Sequence, residues 1–313
     1  MLTINMNWNN INTAVTGSAG FLGSHMCERL VSEGTNVIAI DNYSGGDPKL
    51  LEDVEDDIEA KECDIRNLDN TDILENVDIL FHFAAIANPR SCQSNFNLAF
   101  DVNVSGTKSV FEAAVNAGVN QVLFFSSAAV YGEPNDTPID ESHPRKATDP
   151  YSTTKIIGEE LANMYHSEYE TDFKIIRNFN IFGPRHSTEY LIPTLIKQAI
   201  EDDAIEIWTA EAIRDFTYVQ DAVNAYISVA ESDRLIGRDV NVGSNLAISS
   251  SELAERISAE FGDVPVENLD KDTVGSSRLV CDNTLITNET NWVNTIGFED
   301  GLERTIDWYI DNL

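Results

Sequence analysis

Residues 12–41, "NTAVTGSAGFLGSHMCERLVSEGTNVIAID", constrain the fold more than any other stretch. A short apolar run leads into a glycine-rich turn. An amphipathic segment follows and stops at Gly34, and a second apolar run ends in Asp41. This is a strand–helix–strand pattern. Two such strands lie parallel, because a helix-length crossover returns the chain to the same end of the sheet. Gly17, Gly20 and Gly23 fall in the turn. Glycines there permit a tight bend and close backbone approach to a pyrophosphate, at a helix N-terminus whose free N–H groups favour anions. Asp41 stands at the end of the second strand, where a carboxylate suits the hydroxyls of an adenosine ribose. It would repel a 2′-phosphate, and no arginine follows in "DNYSGGDPK", so NAD is favoured over NADP. A tight turn without a ligand is the alternative.

The alternation continues. "VDILFHFAA", "QVLFFSSA" and "FKIIRNFNIFG" read as strands, the first ending at Ala84–Ala85. "SGTKSVFEAAVNAG" reads as a helix closed by Gly118, and a further helix runs from Tyr151 to about Tyr169. The expected fold class is α/β, a doubly wound parallel sheet of the Rossmann type, with a smaller mixed α/β C-terminal lobe. The expected division is a dinucleotide-binding domain over 1–179, with 214–244 returning to it. A substrate lobe takes 180–213 and 245–313. The cleft between them is the expected ligand site. After Gly183 the helical readings are "YLIPTLIKQAIEDD", "VQDAVNAYISVAES" and "GLERTIDWYIDNL"; "IEIW" and "DVNVGS" read as short strands.

Charge excludes several partners. The net charge is −33, and acid is spread from Glu28 to Asp311. Nucleic acid requires a basic footprint, and an anionic membrane surface requires the same. Spread acidity with only eight lysines suits a high-salt cytoplasm, which screens self-repulsion. It suggests a halophilic, haloarchaeal source; an ordinary acidic soluble protein is the alternative. Cys27, Cys63, Cys92 and Cys281 form no CxxC pair and have no histidine cluster, so packed cytosolic thiols and no metal are expected. "MLTINMNWNN" has neither a basic nor an apolar leader region, and no apolar run is long enough for a membrane span. A cytoplasmic location follows. Met6 is an alternative start.

The segment "DPYSTTKIIGEE" places Tyr151 four residues before Lys155, on one helix face. "SSAAVYG" ends a strand at Ser127, and strand ends in such sheets line the ligand crevice. A free phenol ionises near pH 10 and is a poor base at neutrality. A lysine ammonium and a positive nicotinamide would both favour the phenolate. Tyr151 could then take a hydroxyl proton while hydride leaves the same carbon, with Ser127 holding that oxygen. A surface Tyr–Lys pair and a turn-capping serine are the alternatives.

"TGSAGFLG", "DN" at 41–42, "DI" at 64–65, "FHFAA", "NVSGT", "SSAAVYG", "YSTTK", "FNIFGPR", "RDFTYVQD" and "NVGS" occur in order. This series resembles the extended short-chain dehydrogenase/reductase superfamily, in its nucleotide-sugar epimerase/dehydratase branch, across nearly the whole chain. The resemblance implies that Gly17, Gly20, Phe21, Leu22 and Gly23 line the pyrophosphate. It implies Asp41 and Asn42 for the adenosine ribose, Asp64 and Ile65 for adenine, Ala84 and Ala85 flanking the cofactor, and Asn103 supporting the site. Ser127, Tyr151 and Lys155 would be catalytic, the last two also bonding the nicotinamide ribose. Asn180, Arg214 and Arg278 would meet the substrate diphosphate, since arginine forks suit phosphate oxygens. Arg90 would face the sugar. A homodimer is implied, packed through the Tyr151 helix and the 105–117 helix. Ile156, Ile157, Leu161 and Met164 are its candidate contacts, or else face the chain's own sheet.

Dehydratases and decarboxylases of this branch carry an acidic residue within the segment matching "SAAVYG". Here Ala128 and Ala129 stand there, and neither transfers a proton. The chain therefore looks most like a nucleotide-sugar 4-epimerase of the UDP-glucose 4-epimerase kind, with a UDP-hexose as substrate. The alternatives are another nucleotide-sugar dehydrogenase, reductase or dehydratase of the family, or a catalytically silent NAD-binding scaffold.

Overall fold

A computed structural model describes residues 6–269, 271 and 276–313. Its strands in chain order are β1 (Asn12–Thr16), β2 (Asn36–Asp41), β3 (Ile58–Glu62), β4 (Ile79–His82), β5 (Gln121–Ser127), β6 (Asp172–Asn178) and β7 (Asn180–Phe182). They continue with β8 (Ile205–Ile207), β9 (Ile213–Tyr218), β10 (Asp239–Val242), β11 (Ala247–Ser249), β12 (Val266–Asn268) and β13 (Arg278–Leu279). The helices are α1 (Phe21–Ser32), α2 (Pro89–Ser94), α3 (Phe96–Phe100), α4 (Thr107–Ala117) and α5 (Pro150–Glu168). Beyond them come α6 (Leu191–Glu201), α7 (Val219–Glu231), α8 (Ser250–Glu260), α9 (Thr284–Glu289) and α10 (Phe298–Asn312).

Seven strands form one parallel sheet in the order β3-β2-β1-β4-β5-β6-β10. Both faces are covered, as parallel sheets require. Successive residues of β5 show the pleat. Leu123 and Phe125 pack on the side of Met26, Leu30 and Ala222, from α1 and α7. Val122 and Phe124 pack on the other side, with Val110, Phe111 and Ala162 of α4 and α5. The strand order reverses at β1, which lies between β2 and β4, so a crevice opens beyond the carboxyl ends of β1 and β4.

A second sheet runs β11-β9-β13, with β7 also on β9, and a third pairs β12 with β8. The segment read as one strand, "FKIIRNFNIFG", divides at Phe179: β6 stays in the large sheet and β7 crosses to the second. Of the 214–244 segment expected to return to the large sheet, α7 and β10 do so, whereas β9 belongs to the second sheet. No strand was expected at β3, whose sequence IEAKE has no apolar run. It is an edge strand, half-exposed, and needs no core face. The 105–118 helix begins earlier than expected, since helical backbone runs into it from Phe96. Asp101–Gly106 is a π-helical segment, and α4 follows it and closes at Gly118 with φ +72°. No helix among the described residues is long and apolar enough to cross a membrane.

Candidate active site

The glycine turn lies at the crevice. Gly17 has φ +70°, and a Cβ there would sit 2.8 Å from the Ala84 nitrogen. A Cβ at Gly23 would lie 2.0 Å from the Gly17 carbonyl oxygen. These two glycines let the β1 end, α1 and the β4 end meet. Gly20 is the N-cap of α1 and offers no side-chain cap, so the first turn at Phe21, Leu22 and Gly23 presents its backbone to an anion. The Ser18 hydroxyl in this turn is buried without a hydrogen-bond partner. Asp41 accepts the Ala19 N–H at 3.0 Å and the Tyr43 N–H at 2.8 Å, which ties the β2 end to the glycine turn.

Asn42 donates to Asp64 at 3.2 Å. Arg66 grips the same carboxylate through Nε at 3.0 Å and Nη2 at 2.6 Å, and holds its pKa down to about 2. Ile65 is buried beside it and contacts the Gly106 position. Asp41, Asn42, Asp64 and Ile65 thus converge at one end of the crevice, with Ala84 and Ala85 at the other. The uncapped helix start, the partnerless Ser18 hydroxyl and the acid at the β2 end fit a dinucleotide.

Beyond Ala85, Asn103 is buried in the π-helical segment. It bonds both backbone groups of Ile86, at 2.8 and 3.0 Å, and donates to Thr154 of α5 at 3.1 Å. Helix α5 starts at a capping box, in which the Asp149 carboxylate accepts the Ser152 N–H, and Pro150 occupies its first turn. Tyr151 and Lys155 therefore lie on the first two turns, facing the end of β5. Lys155 donates to the Phe125 carbonyl at 2.6 Å. Ser127, two residues further on, faces the Tyr151 phenol and accepts the Ala129 N–H at 3.2 Å. The structure brings the three side chains together.

Their electrostatics differ from the sequence expectation. Lys155 and a positive nicotinamide together were expected to favour the phenolate; in the chain alone burial is the largest influence on Tyr151 and pushes its pKa up, with Tyr190 adding to it. The Ser127 hydroxyl beside it opposes that rise. Lys155 is itself lowered to about 8, first by burial. Its ammonium lies 5.9 Å from the Tyr151 ring centre and is spent on the Phe125 carbonyl. Desolvation disfavours both charged forms.

One turn beyond Lys155, the fully buried Glu159 locks α5 to the sheet. It accepts from Arg177 of β6 at 2.9 and 2.7 Å, from Ser126 of β5 at 2.6 Å and from Arg145 at 2.9 Å. Nothing in the sequence pattern pointed to this network, because Arg177 and Glu159 meet only in the tertiary fold. The same holds for Tyr190, beside Tyr151, whose ring stacks on His186 at 4.3 Å; His186 in turn stacks on Phe21 at 4.3 Å.

Of the expected substrate residues, Asn180, Arg214 and Arg278 lie on strands of the second sheet. Asn180 donates to the Asp215 carbonyl at 3.2 Å, and Arg214 is half-buried near Glu133. The β9–β13 register pairs Arg278 with Ile213 and Leu279 with Arg214. Side chains alternate across a sheet, so Arg214 and Arg278 leave it on opposite faces. Arg278 donates to Thr137 at 2.9 Å. Arg90 stacks over the Trp208 ring at 4.1 Å, bridging α2 to the end of β8. Of the dimer candidates, Ile156 and Leu161 pack against the chain's own clusters, and Met164 is exposed. Among the described residues, no group of three metal-ligating side chains is present.

The sequence profile described as the NAD dependent epimerase/dehydratase family matches residues 13–243. UDP-glucose 4-epimerase of Mycolicibacterium smegmatis is 30% identical over 309 residues, covering 95% of this chain and 98% of that protein. The UDP-N-acetylglucosamine 4-epimerase structure from Methanobrevibacter ruminantium superposes with a TM-score of 0.92 at 28% identity, covering 97% of this chain and 100% of that one. The dTDP-glucose 4,6-dehydratase DesIV of Streptomyces venezuelae, solved with NAD bound, has a TM-score of 0.91 at 27% identity, covering 96% and 98%. With a glycine turn at the switch of a parallel sheet and a profile match across both, the chain belongs to the NAD dependent epimerase/dehydratase family.

Proposed function

We propose that the chain is a nucleotide-sugar 4-epimerase acting on a UDP-hexose of the glucose/galactose type. The observation that carries this reading is the turn after Ser127. Residues 128–131 are Ala-Ala-Val-Tyr, folded as one 3-10 turn on the Ser127 hydroxyl, and no carboxylate stands in it. Elimination of water or loss of carbon dioxide needs a further acid or base there; inversion at C4 does not.

Residues 17, 20–23, 41, 42, 64, 65, 84 and 85 would hold NAD, the Tyr151 and Lys155 side chains reaching its nicotinamide ribose. When bound there, NAD would supply the hydride acceptor and donor for C4, with no net redox change over the cycle. Tyr151 takes the 4-hydroxyl proton and gives it back. Ser127 hydrogen-bonds the same oxygen and holds it beside the phenol. Lys155 contributes positive charge one turn away, which favours the phenolate. Asn180 and Arg214 take the diphosphate of the substrate.

Two further proposals rest on the surface. The net charge of −33 supports a halophilic, cytoplasmic protein. Phe96, Leu98, Phe100 and Met164, exposed on α3 and α5, support a homodimer through these helices.

The test is interconversion of UDP-glucose and UDP-galactose in molar salt without added cofactor, beside Tyr151→Phe. Turnover in the parent and its loss in the variant is the expected result. Turnover that needs added NAD and accumulates NADH points to a net dehydrogenase. Loss of water from the sugar points to a dehydratase. Bound NAD with no turnover of glucosyl, N-acetylated or uronic sugars points to a silent scaffold.

A further inference from the structure

His82, at the end of β4, is fully buried between two threonines. Its Nδ1 lies 2.7 Å from the Thr16 hydroxyl, and its Nε2 lies 3.0 Å from the Thr107 hydroxyl. The neighbours fix the proton positions. The Thr107 hydroxyl donates to the Asn103 carbonyl at 2.7 Å, and a carbonyl can only accept. The single hydroxyl proton of Thr107 is therefore committed, and His82 must donate to it from Nε2. Nδ1 is then the acceptor, and the Thr16 hydroxyl donates to it. The Thr16 oxygen in turn accepts the Ala84 N–H at 3.3 Å. Every proton in the chain runs one way: Ala84 to Thr16 to His82 to Thr107 to Asn103.

A second chain starts from the side chain of the same Asn103, whose backbone carbonyl ends the first. Its side-chain amide donates to Thr154 at 3.1 Å, and the Thr154 hydroxyl donates to the Tyr151 carbonyl at 2.8 Å. Ala84 is the residue that a Cβ at Gly17 would strike. Two hydrogen-bond chains thus meet at Asn103: one begins at the floor of the glycine turn, and the other ends on the backbone of Tyr151.

We propose that His82, as the neutral Nε2–H tautomer, is a positioning residue that couples the cofactor turn to the Tyr151 helix. The proposal extends the epimerase reading to one more side chain. A second proton on the ring would break it. Nδ1–H would face the Thr16 oxygen and leave the Thr16 proton without an acceptor. Burial and the Lys155 charge both oppose that proton and push the imidazole down to about 3. Valine at position 16 or 107 keeps the shape and removes one link.

The experiment uses the full chain with ¹⁵N-labelled histidine. The expected spectrum of His82 is one protonated and one unprotonated ring nitrogen, with Nε2 protonated, unchanged from about pH 5 to about pH 9. An Nδ1–H tautomer, or an imidazolium within this range, overturns the proposal. Next, NAD affinity and the position of the Tyr151 ring resonance are read in Thr16→Val, Thr107→Val and the double variant. Each single variant is expected to weaken NAD binding about five-fold and to shift the Tyr151 resonance. The double variant should weaken binding by less than the product, because either cut opens the same chain. Independent effects of the two cuts, or a Tyr151 resonance that stays put in Thr16→Val, overturn the coupling. The tautomer and the Tyr151 resonance are read without a sugar substrate, so a chain that couples as described but turns over no UDP-hexose refutes the substrate and leaves the relay standing.

Discussion

The Lys155 ammonium is anchored on the Phe125 carbonyl at 2.6 Å, which pins helix α5 to strand β5 just before Ser127. This bond sets the spacing of the Ser127–Tyr151–Lys155 group. It also costs the ammonium its solvent, so burial lowers Lys155 to about 8.

Tyr151→Phe should lower kcat by about 10²- to 10⁴-fold with the thermal midpoint nearly unchanged, because only the proton-transferring oxygen is lost. The parent kcat/KM should fall above about pH 8, as Lys155 loses the charge that favours the phenolate. Steady-state kinetics across pH checks both. A basic limb that survives in Lys155→Met assigns the titration to another group.

Arg214→Ala should raise KM for the nucleotide sugar about 10- to 100-fold, as a fork on phosphate oxygens is lost. Arg278→Ala, on the opposite face of the small sheet, should change it by less than about two-fold. The ratio of the two KM values reads out which face meets the diphosphate.

Glu159→Ala should destabilise the chain by about 3 to 5 kcal/mol, because Arg177, only 1% exposed, keeps its buried charge and loses its buried carboxylate partner. Urea unfolding measures the loss. A cost within about 1 kcal/mol means that water takes the place of Glu159 beside Arg177.

Lys174 is fully buried and donates to the Val229 and Ala230 carbonyls at 2.8 and 2.9 Å, at the end of α7. Burial lowers it to about 8, below its ordinary 10.5. Below pH 8 both the folded and unfolded chains carry this proton, and the folded state bears the whole penalty of a buried charge. Between about pH 8 and about pH 10 the unfolded chain holds more of the proton, so stability rises with pH. Lys155 adds a rise of the same sign. Above about pH 10 the buried tyrosines, whose pKa values burial raises, reverse the slope. Lys174→Met should flatten the rise, which urea titrations at stepped pH would show.

Raising KCl from about 0.15 M to about 2 M should raise the thermal midpoint, since screening relieves the repulsion of a −33 chain. A midpoint that falls or stays level with salt argues against the halophilic reading.

The parallel sheet, the glycine turn with Asp41 and the Tyr151–Lys155 pair were legible in the sequence. Each is local: apolar runs with both faces buried, glycines where a Cβ would strike backbone, and two side chains one helical turn apart. Strands β3, β9, β11, β12 and β13 were not legible, because edge and short strands of small sheets carry little apolar periodicity. Long-range register decided the rest. It put Arg214 and Arg278 on opposite faces, set Glu159 against Arg177 and placed His82 between Thr16 and Thr107. Burial, which no local pattern encodes, decided the charge states: it pushes Tyr151 up and Lys155 down, because desolvation acts on whatever the fold encloses.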